Sequence, residues 1–281
     1  MGSASLYDVA ARGFHTNCDR ITITTKADIR GAAEALRDIA KELGNFRVAA
    51  CANIASKQPM EDADGNVLAS EVFGWATSKD QWWQKPQLAL TSPLPIACRY
   101  ESEPFWANTD GIRTRAINPL LDSIDLTHFG EMVNAPAVIV VPIHLPFGQI
   151  AAVSFSPINN RRDDLSEEFE EYSEALEYYA RKFINGYSRV TSHRPWIPKN
   201  CRLTKREVEC LRWAAVGKTD VETAMIIGRS CATIRFHIHN AATKLGAVNR
   251  SQTLFKATQL GYMGSVAVHE STRDELTNMT N

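Results

Sequence analysis

The stretch "CATIRFHIHNAATKLG" (Cys231–Gly246) puts two histidines, an arginine and an asparagine on a segment of helical periodicity. Advancing about 100° per residue gathers Ile234, Ile238, Ala241, Ala242 and Leu245 on one narrow arc, a packing face. Arg235, Phe236, His239, Asn240 and Thr243 point away from it, with His237 and Lys244 at its flank. The outward set offers bidentate donors, an amide and an aromatic ring. Base edges in a DNA major groove are read by such groups. His237 and His239, two residues apart, point about 200° from each other on a helix and cannot chelate one metal. The i,i+4 pair of a His-Glu-x-x-His site is absent.

Working outward, "LTKREVECLRWAAVG" (203–217) opens on Thr204 with Glu207 three residues on, a capping-box spacing, and stops at Gly217. "DVETAMIIG" (220–228) reads as a short helix capped by Asp220 and ended by Gly228. Ser230 can cap the quoted helix, and "NRSQTLFKATQLGYM" (249–263) supplies a fourth. Two short helices joined by a glycine-containing turn form a helix-turn-helix.

Charge marks the same region. The chain of 281 residues has 31 Lys/Arg and 32 Asp/Glu, a formal net charge of -1. Between Lys199 and Met263, however, eleven basic residues face four acidic ones (Glu207, Glu209, Asp220, Glu222), an excess of seven positive charges. A basic module joined to an acidic one indicates a nucleic-acid binder with a separate sensing or interaction domain.

Upstream, "DIRGAAEALRDIAKEL" (28–43) has helical spacing. "NFRVAACANI" (45–54) and "NVLASEVFGW" (66–75) read as strands around the turn "DADG". The segment 78–119 holds aromatics and prolines with little periodicity. "AVIVVPIHL" and "QIAAVSFS" read as a hairpin across "PFG", and "DDLSEEFEEYSEALEYYARKFI" (163–184) is an amphipathic helix. The expected domains are residues 1–187, a linker at 188–199, a DNA-binding domain at 200–263 and a polar tail at 264–281.

No apolar run approaches the roughly 18–20 residues that span a bilayer, and no signal-peptide or myristoylation pattern is seen. The six cysteines are scattered without a Cys-x-x-Cys pair, which fits reduced thiols in the cytoplasm. Gly-x-Ser-x-Gly, P-loop and Gly-x-Gly-x-x-Gly motifs are lacking, so His128 and His144 read as isolated histidines and not as parts of an enzyme. No cofactor or metal is expected.

"LTKRE", "WAAVGK" and "TIRFHIHNAATKLGAVNRSQ", with a closing "LGYM", resemble the C-terminal DNA-binding domain of the LuxR family of bacterial transcription regulators. The resemblance implies that the quoted helix enters the major groove and that the fourth helix pairs two subunits. It places Arg235 and His239 at base-contacting positions and Thr233, His237 and Lys244 near phosphates. The family's acidic residue opening this helix is Cys231 here.

The N-terminal half is similar, more loosely, to the autoinducer-binding domain of quorum-sensing LuxR regulators, through "VPIHLPFGQIAAVSFS" and "SEPFWAN". That likeness implies an α+β domain, a five-stranded antiparallel sheet in an α-β-α sandwich, followed by the all-α four-helix helix-turn-helix domain. It implies a ligand such as an acyl-homoserine lactone between sheet and helices. Trp83, Ser92, Tyr100, Phe105, Trp106, Val138, Val140 and Ser154 are the candidate pocket residues, with the ring of Trp106 lining the pocket. Ser92 stands where the family has a ligand-binding aspartate, and Val138 where it has a glycine. The partners implied are double-stranded DNA, a second subunit (a homodimer or a heterodimer with another regulator) and a small molecule, with no membrane. The alternative is a pocket closed by Val138, leaving a domain that serves dimerisation or partner binding alone.

Overall fold

The computed structural model describes residues 19–56, 58–75, 92–159, 161–191 and 201–264, and divides the chain into two compact units at His193/Arg194.

The first unit is built on a five-stranded antiparallel sheet: β1 (Phe46–Cys51), β2 (Phe105–Asn108), β3 (Gly111–Thr114), β4 (Ala137–Leu145) and β5 (Gln149–Pro157), in the order β1-β5-β4-β2-β3. β4 is buried from Ala137 through Ile143 because both of its faces are covered. A strand in that position reads as a continuous apolar run and not as an alternation. Its one proline is accommodated locally. The ladder with β2 spans Ala137–Val140, so Pro142 lies beyond the doubly paired stretch.

Helices α1 (Ile29–Gly44) and α4 (Ser166–Thr191) cover one face of the sheet. There Ile29, Leu36 and Ile39 of α1, with Phe169, Leu176 and Phe183 of α4, pack on Val48, Ile139, Val141, Val153 and Phe155. Helices α2 (Pro93–Tyr100) and α3 (Phe129–Val133) lie over the other face, where Ala97, Cys98 and Phe129 meet Phe105, Val138 and Val140. This is the α-β-α sandwich with an antiparallel five-stranded sheet.

Three local expectations are corrected. Residues 66–75 form no strand; Leu68–Glu71 is a helical turn. Asp62 accepts backbone N–H groups of Asp64 and Asn66 and closes the "DADG" loop, so the chain enters a turn at Leu68. Leu68, Val72 and Trp75 are buried at helical spacing, which outweighs the strand propensity of the segment. The second correction concerns α4, which continues through Thr191 and absorbs the first residues of the expected linker. Most of that linker and of the tail lies outside the described residues. The third is β2 and β3, a hairpin inside the segment that showed little periodicity. They are only four residues each, and the two-residue turn Thr109-Asp110 joins them.

The second unit holds α5 (Lys205–Ala215), α6 (Asp220–Ile227), α7 (Cys231–Leu245) and α8 (Arg250–Gln259). Thr204 caps α5 in a capping box with Glu207. α6 is capped one residue earlier than expected: Thr219 and Glu222 form its box, which leaves the Asp220 carboxylate free for other partners. Gly228 (φ 67°) and Gly246 (φ 57°) end α6 and α7 in the left-handed conformation that a side chain would disfavour. The three residues Gly228–Ser230 make the turn of the helix-turn-helix, and Ser230 Oγ accepts the Thr233 N–H at 3.1 Å to start α7. Ile234 and Leu245 are fully buried with Ala241 between them, so the inward face of α7 is the expected one.

Candidate DNA-reading surface and ligand cavity

With Ile234, Ala241 and Leu245 turned inward, the opposite face of α7 presents Ala232, Arg235, Phe236, His239 and Thr243 to solvent. Phe236 is 60% exposed and meets His237 edge-on, ring centroids 5.7 Å apart. The exposed set thus combines polar donors with an apolar ring, groups of the kinds that match base edges and a thymine methyl in a major groove. Asn240 and His237 are half-buried beside them. Thr233 is tied into the helix start, its hydroxyl 2.9 Å from that of Ser230.

Lys244, expected near a phosphate, makes an ion pair within the unit. Its Nζ lies 2.8 Å from both carboxylate oxygens of Glu207, whose side chain is 4% exposed. Burial raises the Glu207 pKa, and the Lys244 ammonium with the Thr204 N–H and hydroxyl outweigh that, holding the carboxyl below its ordinary range. Lys244 is therefore an internal tie between α7 and α5.

Arg235 is exposed, and its Nε lies 3.4 Å from Oδ2 of Asp220. The other oxygen of Asp220 accepts from Arg250 Nη1 at 2.6 Å, and Arg250 Nη2 donates to the Lys218 carbonyl at 2.9 Å. The first residues of α6, the exposed face of α7 and the start of α8 are thus joined by one carboxylate. Sequence reading singled out neither Asp220 nor Arg250 for this role; oppositely charged residues 15 and 30 positions apart give no periodic signal.

In the N-terminal unit a cavity of about 540 Å³ lies between the sheet and helices α2 and α3. Its floor follows from a size alternation. In β1 and β5, Ala49, Cys51, Ala152, Ser154 and Ser156 face the cavity, while Val48, Val153 and Phe155 face the opposite core. Ala49, Ser154 and Val140 lie in one row across three strands. Small side chains on one face leave the space that the large ones fill on the other. Leu94, Pro95 and Cys98 of α2 and Met132 and Val133 of α3 form the walls, and His128 and Glu131 stand at the edge, 3.6 Å apart.

The expected pocket residues separate. Ser92, Val138, Val140 and Ser154 line the cavity. Ser92 occupies the N-cap position of α2 without a side-chain capping bond. Val138 borders the cavity without closing it. Phe105 is fully buried on the same sheet face but is packed into the apolar cluster beside the cavity. Tyr100 is half-exposed at the end of α2. Trp106 faces the other way: it opposes Ile139 in the ladder and joins the α1/α4 core, with the Arg113 guanidinium 4.6 Å over its ring. Successive strand residues point to opposite faces, so Phe105 and Trp106 cannot both face the ligand side. Trp83 lies outside the described residues. Trp75, read as a strand residue, lines the cavity, its Nε1 donating to the Val48 carbonyl at 2.6 Å.

Burial pushes the two cavity thiols up, Cys98 to about 12 and Cys51 to about 11. Among the described residues no group of three His, Cys, Asp or Glu side chains could hold a metal ion, and no helix is long and apolar enough to cross a membrane.

These are a helix-turn-helix with an exposed polar face on its second helix and an α+β domain with an apolar cavity. Residues 202–257, which span the helix-turn-helix, match the family model of the bacterial regulatory proteins of the luxR family. The chain is 37% identical over 123 residues to the transcriptional activator VanR of Vibrio anguillarum, covering 44% of this chain and 50% of the relative. It is 36% identical over 121 residues to the quorum sensing-dependent regulator RpaR of Rhodopseudomonas palustris, covering 43% of this chain and 46% of the relative. The match to AhyR of Aeromonas hydrophila, 29% identical over 179 residues, covers 63% of each chain. The chain thus spans about half the length of the first two curated relatives. Among solved structures, Escherichia coli SdiA aligns over 92% of this chain and all of that chain, at 19% identity and a TM-score of 0.49.

Proposed function

We propose that the chain is a DNA-binding transcription regulator of LuxR type, acting in the cytoplasm as a dimer, with a small molecule held in the N-terminal cavity as its signal. The observation that carries the reading is the exposed face of α7, where Arg235, Phe236 and His239 reach solvent together in a domain with seven excess positive charges. Phosphate contacts from the surrounding Lys and Arg would set register, and Arg235 and His239 would read base edges. Phe255, 61% exposed on α8, supports pairing of two copies through that helix, each reading one half-site.

The 540 Å³ cavity falls within the range of small-molecule sites, and its mostly apolar lining with a few serine hydroxyls suits a neutral, largely apolar ligand. An acyl-homoserine lactone is one such molecule, met here by Ser92 in place of a carboxylate. An open cavity bordered by Val138 favours sensing over a domain used for dimerisation alone.

Selection of duplexes from a randomised DNA pool by the full chain tests the reading. Enrichment of a two-fold symmetric sequence is expected. Retention of DNA without enrichment of any sequence would leave a charged surface and no reader.

A further inference from the structure

The shared carboxylate of Asp220 has a consequence for how Arg235 meets DNA. Arg235 projects from α7 with a largely exposed side chain, and an unrestrained arginine there would sample many rotamers. Its Nε edge, however, is turned to Asp220 Oδ2, 3.4 Å away. Asp220 is itself held. Its Oδ1 takes Arg250 Nη1 at 2.6 Å, and Arg250 is fixed by the Lys218 carbonyl. Asp220 also sits at the first position of α6, a helix whose capping box is complete without it. The carboxylate is thus a mounted acceptor that engages one edge of the reading arginine.

We propose that Asp220 is a positioning residue for DNA reading: by engaging Nε of Arg235 it directs the terminal Nη1/Nη2 fork outward, so that the arginine meets guanine end-on. The inference rests on the assignment of Arg235 as a base reader. A guanidinium offers two bidentate edges, the terminal fork and the Nε side. With Nε occupied, only the fork matches the O6 and N7 acceptors of guanine. The same pair costs affinity for DNA in general, because Asp220 places a negative charge beside the surface that approaches phosphates. Two opposite effects on one residue separate positioning from charge.

The test uses the full chain and its Asp220→Asn variant. Asparagine keeps an oxygen for Arg250 and presents an amide where Arg235 Nε needs an acceptor. Wild type, Asp220→Asn, Arg235→Ala and the double variant are each passed through selection from a randomised duplex pool. Binding is then measured to the wild-type-selected duplex and to random-sequence DNA, with amide hydrogen exchange of 201–264 confirming the fold. Asp220→Asn is expected to lower the ratio of specific to random affinity about tenfold and to relax the preference at a guanine, while random-DNA affinity rises or holds. In the Arg235→Ala background the same change is expected to leave the ratio alone.

Uniformly tighter binding with an unchanged ratio would overturn the proposal, as would an equal loss of ratio in both backgrounds. If Arg235→Ala itself leaves the selected sequence unaltered, the base-reading assignment fails, whatever Asp220 does. Should exchange show the Asn variant unfolded, Asp220→Glu supplies the comparison. It restores the carboxylate at a longer reach, and retention of the wild-type ratio despite the displaced acceptor would also contradict positioning.

Discussion

Lys244 Nζ donates to both carboxylate oxygens of Glu207 at 2.8 Å, and one of those oxygens also accepts the Thr204 N–H at 2.7 Å. A single buried side chain completes the cap of α5 and ties it to α7. Removing the lysine would leave a carboxylate inside the domain with part of its hydrogen bonding lost. Lys244→Met is therefore expected to destabilise the C-terminal unit by about 1–3 kcal/mol, read as a lower urea midpoint for amide exchange in 201–264. Unchanged stability with a weaker salt dependence of DNA binding would instead return Lys244 to the phosphate contact implied by family resemblance.

The same pair sets a pH dependence. The folded pKa of Glu207 lies below its unfolded value, so its contribution is complete above about pH 5, where the unfolded carboxyl is ionised, and is lost as the pH falls through the folded pKa. Acid unfolding of the C-terminal unit is expected to flatten in Glu207→Gln, followed by circular dichroism from pH 6 to pH 2. An acid limb of equal slope in both proteins would contradict the role of this pair.

The cavity yields a third expectation. Ala152 faces it from β5, so Ala152→Phe would occupy part of the space while overpacking costs about 1–3 kcal/mol. Native mass spectrometry of the purified wild type should show a bound small molecule that the variant lacks. Two apo masses of equal purity, with unaltered control of DNA binding, would point to dimerisation without a signal.

Cys51 and Cys98 give a fourth. With pKa values pushed up by burial to about 11 and about 12, neither thiol is appreciably ionised at neutral pH. Iodoacetamide at pH 8 is expected to label both at least about a hundredfold slower than in the urea-unfolded chain. Rapid labelling in the folded protein would show that the cavity opens.

The second unit was nearly transparent in sequence because its signals are local. Thr204 with Glu207, Gly228, Ser230 and Gly246 act within a turn or two of themselves, and the Ile234/Ala241/Leu245 stripe follows helical geometry. What stayed hidden there were Lys244–Glu207 and Asp220–Arg235–Arg250, which the fold joins across 15 to 37 positions. In the N-terminal unit the β4–β5 hairpin and both long helices could be read, whereas Phe105–Asn108 and Gly111–Thr114 were too short to show a period. The orientation of Trp106 depended on strand register. One legible signal went unused: small residues at 49, 51, 152, 154 and 156 alternate with Val48, Val153 and Phe155, the pattern of a sheet with a packed face and a hollow one.

Arg235 bears the central assignment, since it stands on the exposed face of a helix whose inward face is fixed by Ile234 and Leu245. The most direct measurement is a footprint of the full chain and of Arg235→Ala on a duplex selected by the wild type. Loss of the protected site is expected, a drop in specific affinity of about tenfold or more, with random-DNA affinity falling only by the share of one charge. A footprint that survives the substitution at the same position and concentration would mean that another surface reads the DNA.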